Sequence, residues 1–382
     1  MKKKILLIAV AMLAATSLVE AKSKKIPENS DDRVVCYELK TERRRIVSVP
    51  DIDGYVTLKG DFHLHTVFAD ATVSPQGRVR EAWCDGLDVI AMTPHVGVHK
   101  NKGIRLKDYN LPYELASKEA KKWGLLVVKG VEITRAKPFG HMNALFLSDC
   151  SVFSENRYLK DENGKYLTDK EGRKINNEET LAADLAAAEK QGAFILWNHP
   201  GWPDKKCTMY PVQKKMIEEG RIHGVELFNG CEWYPKVLDW FDKYELPMMA
   251  NTDAHSPTSL QYGMRIRPMT LVFAKGRSVD GVREALFAKR FVAFFDQKLA
   301  GRADLIKQLI AKSLQVRVLD EKKGLLEVTN ISDIEFRTAF GDHMNPVIFA
   351  PREARKITVK KGTVLEFTNC YAGRETVKAE IW

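Results

Sequence analysis

Residues 56–65 read VTLKGDFHLH, and this stretch decides the fold. An apolar, strand-like run ends at Asp61, and two histidines, His63 and His65, follow one residue apart. Residues so spaced on an extended segment point to the same side, so both imidazoles can share one cation. The construction recurs: LDVIAMTPH (87–95) ends on His95, LLVVKGVE (125–132) on Glu132, AFILWNHP (193–200) reaches His199, and PMMANTDAH (247–255) reaches Asp253 and His255. Parallel strands bring their C-terminal ends to one face of an α/β domain, so groups remote in sequence converge there. The chain has nine histidines, and those at 63, 65, 95, 141, 199 and 255 lie in or just after such ends.

From residue 56 onward, strand-like and helix-like segments alternate. Helices are expected over 76–84, 113–123, 180–191, 212–219, 235–244, 279–289 and 303–313, with Gly124, Gly192 and Gly220 placed to stop three of them. Strands are expected over 88–92, 125–132, 193–197, 224–228, 247–250, 270–273 and 291–294. Repeated β-then-α units imply a parallel sheet, and candidate ligands spread over so many strand ends favour its closure into a barrel. Residues 158–174 interrupt the pattern with a near repeat, YLKDENGK then YLTDKEGRK, read as a polar surface insertion with a hairpin turn at Asn163-Gly164. From 314 to 382 short alternating segments separated by turns give the signature of a small β-sandwich. Every candidate ligand lies upstream of it, so the tail is not required for coordination.

The 382 residues are 45% apolar and 29% charged, which is ordinary globular composition and excludes a disordered chain. Residues 1–21 read as an export signal: Lys2 to Lys4, an apolar core from Ile5 to Ala15, and Val19-Glu20-Ala21 as a cleavage site. An N-terminal anchor is the alternative, but the core is short for a span. Without it the net charge falls from +10 to +8, and the expected location is periplasmic or secreted, with no membrane span in the mature chain. Residues 22–55 form a polar arm. The basic clusters lack interleaved aromatics, so no specific nucleic-acid binding is expected. Six cysteines show no C-x-x-C pair; Cys207 with Cys231 is the shortest candidate disulfide, and buried free thiols are the alternative.

These residues resemble the polymerase and histidinol phosphatase (PHP) superfamily of metal-dependent phosphoesterases, whose motifs occur in order as GDFHLHTVFAD, TPH, GVEIT, GHMNALFL, NHPGW and NTDAH. The resemblance spans about residues 56–295. It implies an α/β fold built as a distorted (β/α)7 barrel over 56–313, followed by the small β-sandwich-like domain of 314–382. It also implies two or three divalent transition-metal ions, zinc, manganese or iron: one held by His63, His65, Glu132 and Asp253, a second by Glu132, His141 and His199, a third by Asp70, His95 and His255. Catalysis is then expected to depend on Glu132, Asp253 and His255.

Imidazole and carboxylate suit such metals. A hydroxide shared by two cations is available near neutral pH, because a single zinc lowers the pKa of water to about 7, and no protein nucleophile is needed. Ligand chemistry alone reaches hydrolysis of a small-molecule phosphoester. Export, the RPMTLVFA strand and the β-rich tail together resemble the secreted Sb-PDE-like phosphodiesterase branch, which implies a diester substrate. A monoesterase of histidinol-phosphatase type, or a silent barrel with a binding β-domain, are the alternatives. Arg135, His99 and Arg265 are candidate substrate contacts, with Lys100, Lys102, Arg105 and Arg267 also near strand ends and Trp202 and Trp233 at the entrance. Oligomeric state is not legible.

Overall fold

The computed structural model describes residues 34, 43–101, 103–202, 204–339 and 346–382, and every structural statement concerns those. The export signal, most of the arm, Lys102 and Cys36 lie outside them. In chain order the first half holds β1 (Val56–Asp61), α1 (Pro75–Cys84), β2 (Val89–Met92), α2 (Leu111–Ala120), β3 (Leu126–Thr134), β4 (His141–Leu145), α3 (Glu178–Lys190) and β5 (Phe194–Trp197). Then come α4 (Pro211–Glu218), β6 (Gly224–Asn229), β7 (Glu232–Trp233), α5 (Lys236–Tyr244), β8 (Met248–Asn251), α6 (Thr258–Tyr262), β9 (Met269–Ala274), α7 (Val279–Phe287), β10 (Phe291–Phe295), β11 (Lys298–Gly301) and α8 (Ala303–Ser313). The tail is all strand: β12 (Leu314–Asp320), β13 (Leu325–Asn330), β14 (Phe336–Ala339), β15 (Val347–Phe349), β16 (Ala354–Thr358), β17 (Val364–Ala372) and β18 (Glu375–Glu380).

Helix starts follow local chemistry. Ser74, Asn177 and Ser278 each accept a backbone N–H of the first turn of α1, α3 and α7. Pro75 and Pro211 open α1 and α4, where a missing N–H costs nothing. The expected helices and strands are present, and β4, which the sequence reading treated only as a stretch bearing His141, is a full strand.

β1, β2 and β3 pair in parallel, as do β5, β6 and β8; β4 runs antiparallel between β3 and β5 and distorts the barrel. β9 continues the sheet antiparallel to β1. The ring closes beyond β8 through single contacts: His63 O accepts from Asp253 N at 2.9 Å, Leu64 bridges Ala254, and the Thr270 hydroxyl both donates to Ala250 O and accepts from Ala250 N. Inside, Leu58, Phe62, Val89, Val128, Leu196 and Met249 fill the barrel, and Val282, Ala285 and Leu286 of α7 join the same core. The interior is therefore solid, which leaves the strand ends as the place for chemistry.

The β-rich tail is present and is fused to the barrel. β12, β13 and β16 make a separate three-stranded sheet, whereas β17 pairs in parallel with β11 and carries β14, β15 and β18 into the barrel's own sheet. Leu326, Phe336, Phe349 and Phe367 share one apolar core with Phe273, Phe294 and Ile306. Residues 44–382 are accordingly one compact unit. The β17–β18 turn also grips α5: Arg374 N donates to Asp242 at 2.9 Å and its guanidinium pairs with Asp239 at 2.5 Å. Gly373 there has φ +70°, and a Cβ would lie 1.6 Å from Asp242 Oδ1.

Gly373→Ala is expected to lower unfolding stability in urea by about 1–3 kcal/mol, whereas Arg374→Ala, which removes only an exposed pair, changes it by at most about 1 kcal/mol. Equal losses would place the grip in the ion pair and not in the close approach.

Candidate metal centre

Sequence places the ligands at strand ends, and the fold brings them together. His63 and His65 follow β1, His95 follows β2, Glu132 lies in β3, His141 opens β4, His199 follows β5, Asp253 and His255 follow β8, and Asp70 sits in the loop after His65. Four overlapping groups have ligand atoms within 4.8 Å of one another: His65, Asp70, His95 and His255; His63, His199 and Asp253; His63, His65 and Glu132; His95, Glu132 and His141. All nine residues expected from the sequence fall in these groups. The grouping differs from the expected sets: His65 also stands beside Asp70, His95 and His255, His199 groups with His63 and Asp253, and His95 joins Glu132 and His141.

The donors are aimed and held. His63 Nδ1 lies 2.9 Å from the buried Glu226, turning Nε2 inward, where it is 3.1 Å from His65 Nε2 and 3.2 Å from Asp253 Oδ1. His255 Nδ1 meets the Asp253 carbonyl at 2.8 Å, so its Nε2 faces Asp70 at 3.2 Å. His95 Nδ1 contacts Thr134 Oγ1 at 2.8 Å and abuts Glu132. Glu132 Oε1 receives His141 Nδ1 at 3.0 Å and the Asn198 amide at 2.9 Å. Such outer partners fix the tautomer and direction of a ligating ring.

Burial alone would protonate Glu132, yet His95, His141 and His199 outweigh it and hold its carboxyl well below the usual range. Asp253 is likewise ionised against burial by His63 and His65, and Asp70 by His255, His95 and Lys100. Burial pushes His65 down to about 3 and His141 down to about 4. His63 and His199 are raised despite burial, by Asp253, Glu132 and Glu226, and His255 by Asp70 and Asp253. Carboxylates and inward-facing imidazoles thus crowd one buried space, and Asp70 Oδ1 and Asp253 Oδ1 have no well-aligned hydrogen bond. This donor set, free of thiolate, fits divalent metal ions.

Two candidate ligands sit on left-handed backbone, His199 at φ 23° and Asp253 at φ 51°. Non-glycine residues there cost of order 1–3 kcal/mol each and persist only where the surroundings enforce them. Asp61 supplies part of that enforcement: it accepts from Thr252 N, His63 N and the Thr252 hydroxyl, and pairs with Arg267. Arg78 supplies more, donating to the carbonyls of His65, Ala254 and Ser256.

Asp70, His95, His141, His199, Asp253 and His255 of the cluster line an open cavity of about 610 Å³. Trp202 borders it, its ring 5.0 Å from that of His141 and 5.5 Å from that of His199, as do Lys100, Arg157, Tyr158, Glu232 and Tyr234. The proposed substrate contacts fare differently. Arg135 is buried and bound to Asp184 at 2.5 Å, because α3 presents a carboxylate beneath it. His99 turns to Glu155 at 3.1 Å, and exposed Arg265 lies outside the cavity lining. Arg105 pairs with Glu155, Arg267 with Asp61 and Asp85, and Trp233 packs on Phe228 and Tyr371. Cys207 and Cys231 are free thiols, one buried and one exposed at the cavity, so of the two alternatives for this pair the disulfide is not the one formed. Glu226, Asp61 and Arg78 went unread as site residues. A glutamate inside the apolar run GVELF was the available signal, since a buried charge demands a partner.

A solved two-domain protein from Bacteroides vulgatus, described as containing a predicted PHP-like metal-dependent phosphoesterase, is 33% identical, with TM-score 0.78 over 89% of this chain and 99% of that one. This chain belongs to the PHP-like metal-dependent phosphoesterases. A functionally uncharacterized protein of Methanocaldococcus jannaschii is 26% identical over 206 residues, 53% of this chain and 84% of that protein. No protein-family model matches the chain. Membership of the PHP-like phosphoesterases agrees with the barrel, the β-rich tail and the His/Asp/Glu cluster.

Glu226→Gln, at a side chain that holds both His63 Nδ1 and the backbone N–H of His199, is expected to weaken metal binding about 10- to 100-fold, measured by competition with a chelator. Glu132→Gln should lose more, and His99→Gln should match wild type. A Glu226→Gln protein with unchanged affinity would remove Glu226 from the support of the centre.

Proposed function

We propose that the chain hydrolyses phosphodiesters of small molecules, with two or three divalent transition-metal ions, zinc, manganese or iron, held by His63, His65, Asp70, His95, Glu132, His141, His199, Asp253 and His255. The observation that carries this reading is the convergence of those nine side chains, with Asp70, His95, His141, His199, Asp253 and His255 lining an open cavity and His63, His65 and Glu132 buried among them. Bound there, divalent ions supply Lewis-acid chemistry, neutralising charge on phosphoryl oxygens and lowering the pKa of water. Glu132 lies within reach of five of the groups' histidines, His63, His65, His95, His141 and His199, and is the residue best placed to be shared between ions.

The protein's own residues do the rest. Glu226 and the Asp253 carbonyl orient His63 and His255, and Trp202 shields the face of His141 and His199 from bulk water. The diester preference is supported by the charge of the wall. Among the described residues, Lys100 and Arg157 are the lysine and arginine lining the cavity, and Lys100 is tied to Asp70 at 2.8 Å. One uncommitted cation and an open mouth match a singly charged diester with two substituents better than a dianionic monoester. The reading includes residues 1–21 as an export signal, a periplasmic or secreted location, and residues 56–313 as the catalytic barrel. It also includes likeness to the secreted Sb-PDE-like branch.

With 4-nitrophenyl phosphate and bis(4-nitrophenyl) phosphate, which share a leaving group, kcat/KM is expected to favour the diester by about tenfold or more, about 1.4 kcal/mol in transition-state stabilisation. Chelation should abolish both activities, and manganese, zinc or iron should restore them. A monoester preference would replace the diesterase reading with the phosphatase one, and activity unaffected by complete metal removal would end the mechanism.

A further inference from the structure

The polar insertion begins at the cavity wall. Arg157 and Tyr158 line the cavity, and the insertion returns where Asn176 bridges Tyr158. Beyond them it is internally braced. Leu159 N donates to Ile175 O, Ile175 N to Leu167 O, and Leu167 N to Leu159 O, each at 3.0 Å, so the three residues form a ring. Asp161 and Asp169 each close their own turn, accepting from Lys165 N and Arg173 N at 2.9 Å. Arg157 is therefore carried on a built support.

The other arginines around the mouth are engaged by the fold. Arg78 holds three carbonyls and Glu81, Arg135 holds Asp184, and Arg267 holds Asp61 and Asp85. Arg157 differs. Among the described residues no carboxylate pairs with it: Glu155, two positions earlier, goes to Arg105, His99 and Tyr109. Its polar contacts are the Thr134 carbonyl and the Tyr158 hydroxyl, both at 3.4 Å, with the Tyr158 ring 4.8 Å away. Neutral oxygens at the limit of hydrogen-bond range do not compensate a half-buried guanidinium, whereas an oxyanion does. Space for the side chain depends on Gly97, two residues after His95. A Cβ there would lie 2.9 Å from Arg157 Nε and 3.0 Å from Glu155 O, on a backbone at φ +71°.

We propose that Arg157 binds the non-bridging oxygens of the substrate's phosphoryl group, a contact for which the sequence offered Arg135, His99 and Arg265. The planar fork of a guanidinium matches two such oxygens. The assignment rests on the phosphoester reading for its choice of ligand, and it makes the insertion a specificity element of the site.

Inorganic phosphate is titrated calorimetrically into manganese-loaded wild-type protein and into Arg157→Ala, Arg157→Lys and Gly97→Ala variants, with metal content and Tm recorded for each. Arg157→Ala is expected to weaken phosphate binding roughly 10- to 100-fold, the range for hydrogen bonds to charged groups, with metal content and Tm unchanged. Arg157→Lys should recover part of the loss. Gly97→Ala should weaken binding while keeping the guanidinium, because it displaces it. Wild-type protein that binds no phosphate, or an Arg157→Ala variant that keeps its metal and binds phosphate as tightly, overturns the proposal. Phosphate bound through Arg157 by a protein that hydrolyses no phosphoester refutes the proposed function and leaves this assignment standing. Phosphoester hydrolysis with KM and phosphate affinity untouched by Arg157→Ala does the reverse.

Discussion

The carboxylate of Asp61 closes the barrel. It lies at the end of β1, fully buried, and takes hydrogen bonds from Thr252 beyond β8 and from His63 while pairing with Arg267. On one side of this joint stand His63 and His65, on the other Asp253 and His255. The two strand ends make only a short ladder of their own, so Asp61, with Arg78 and Asn251, holds the register of four candidate ligands. A buried pair of this kind is not a source of stability in itself, but breaking it by removing one partner typically costs about 3–5 kcal/mol. Arg267 answers to Asp85 as well, which ties the joint to the end of α1.

From that joint the strain at the centre follows. The chain turns sharply after β8, placing Asp253 at a positive φ, and does the same at His199 after β5. Side-chain bonds replace the sheet ladder at these ends: Asn251 holds Phe62 N, Thr93 holds Leu64, and Asn143 holds Phe62 O. The mouth of the barrel is thereby made of polar clamps and its interior of apolar packing, and the ligands stand at the boundary between the two.

The residues of the cluster were legible because their signals are local: a strand-like run, a one-apart spacing, an acid or imidazole at its end. The helices were legible through periodicity and glycine stops. What escaped depended on distant partners. Arg135 and Arg157 look alike in sequence, and only the arrival of Asp184 on α3 makes one structural. β4 begins at a ligand and carries Asn143, whose amide works inside the barrel, so its run read poorly as a strand. The tail's alternation was plain, but its junction with the barrel was not, since β11 is only four residues long and its partner lies some seventy positions away.

That junction has a consequence for how the protein is made. Tyr371, on β17, packs against Trp233, whose loop carries the cavity wall from Asn229 to Glu232. Ser48, ahead of the barrel, is fastened to Asp333 in the tail at 2.6 Å. A nascent chain emerging in order has every ligand in hand long before it has the strand that props the wall, and non-local pairing of this kind is slow to form. The histidines and carboxylates are therefore synthesised well before β17, whose Tyr371 backs the cavity wall at Trp233.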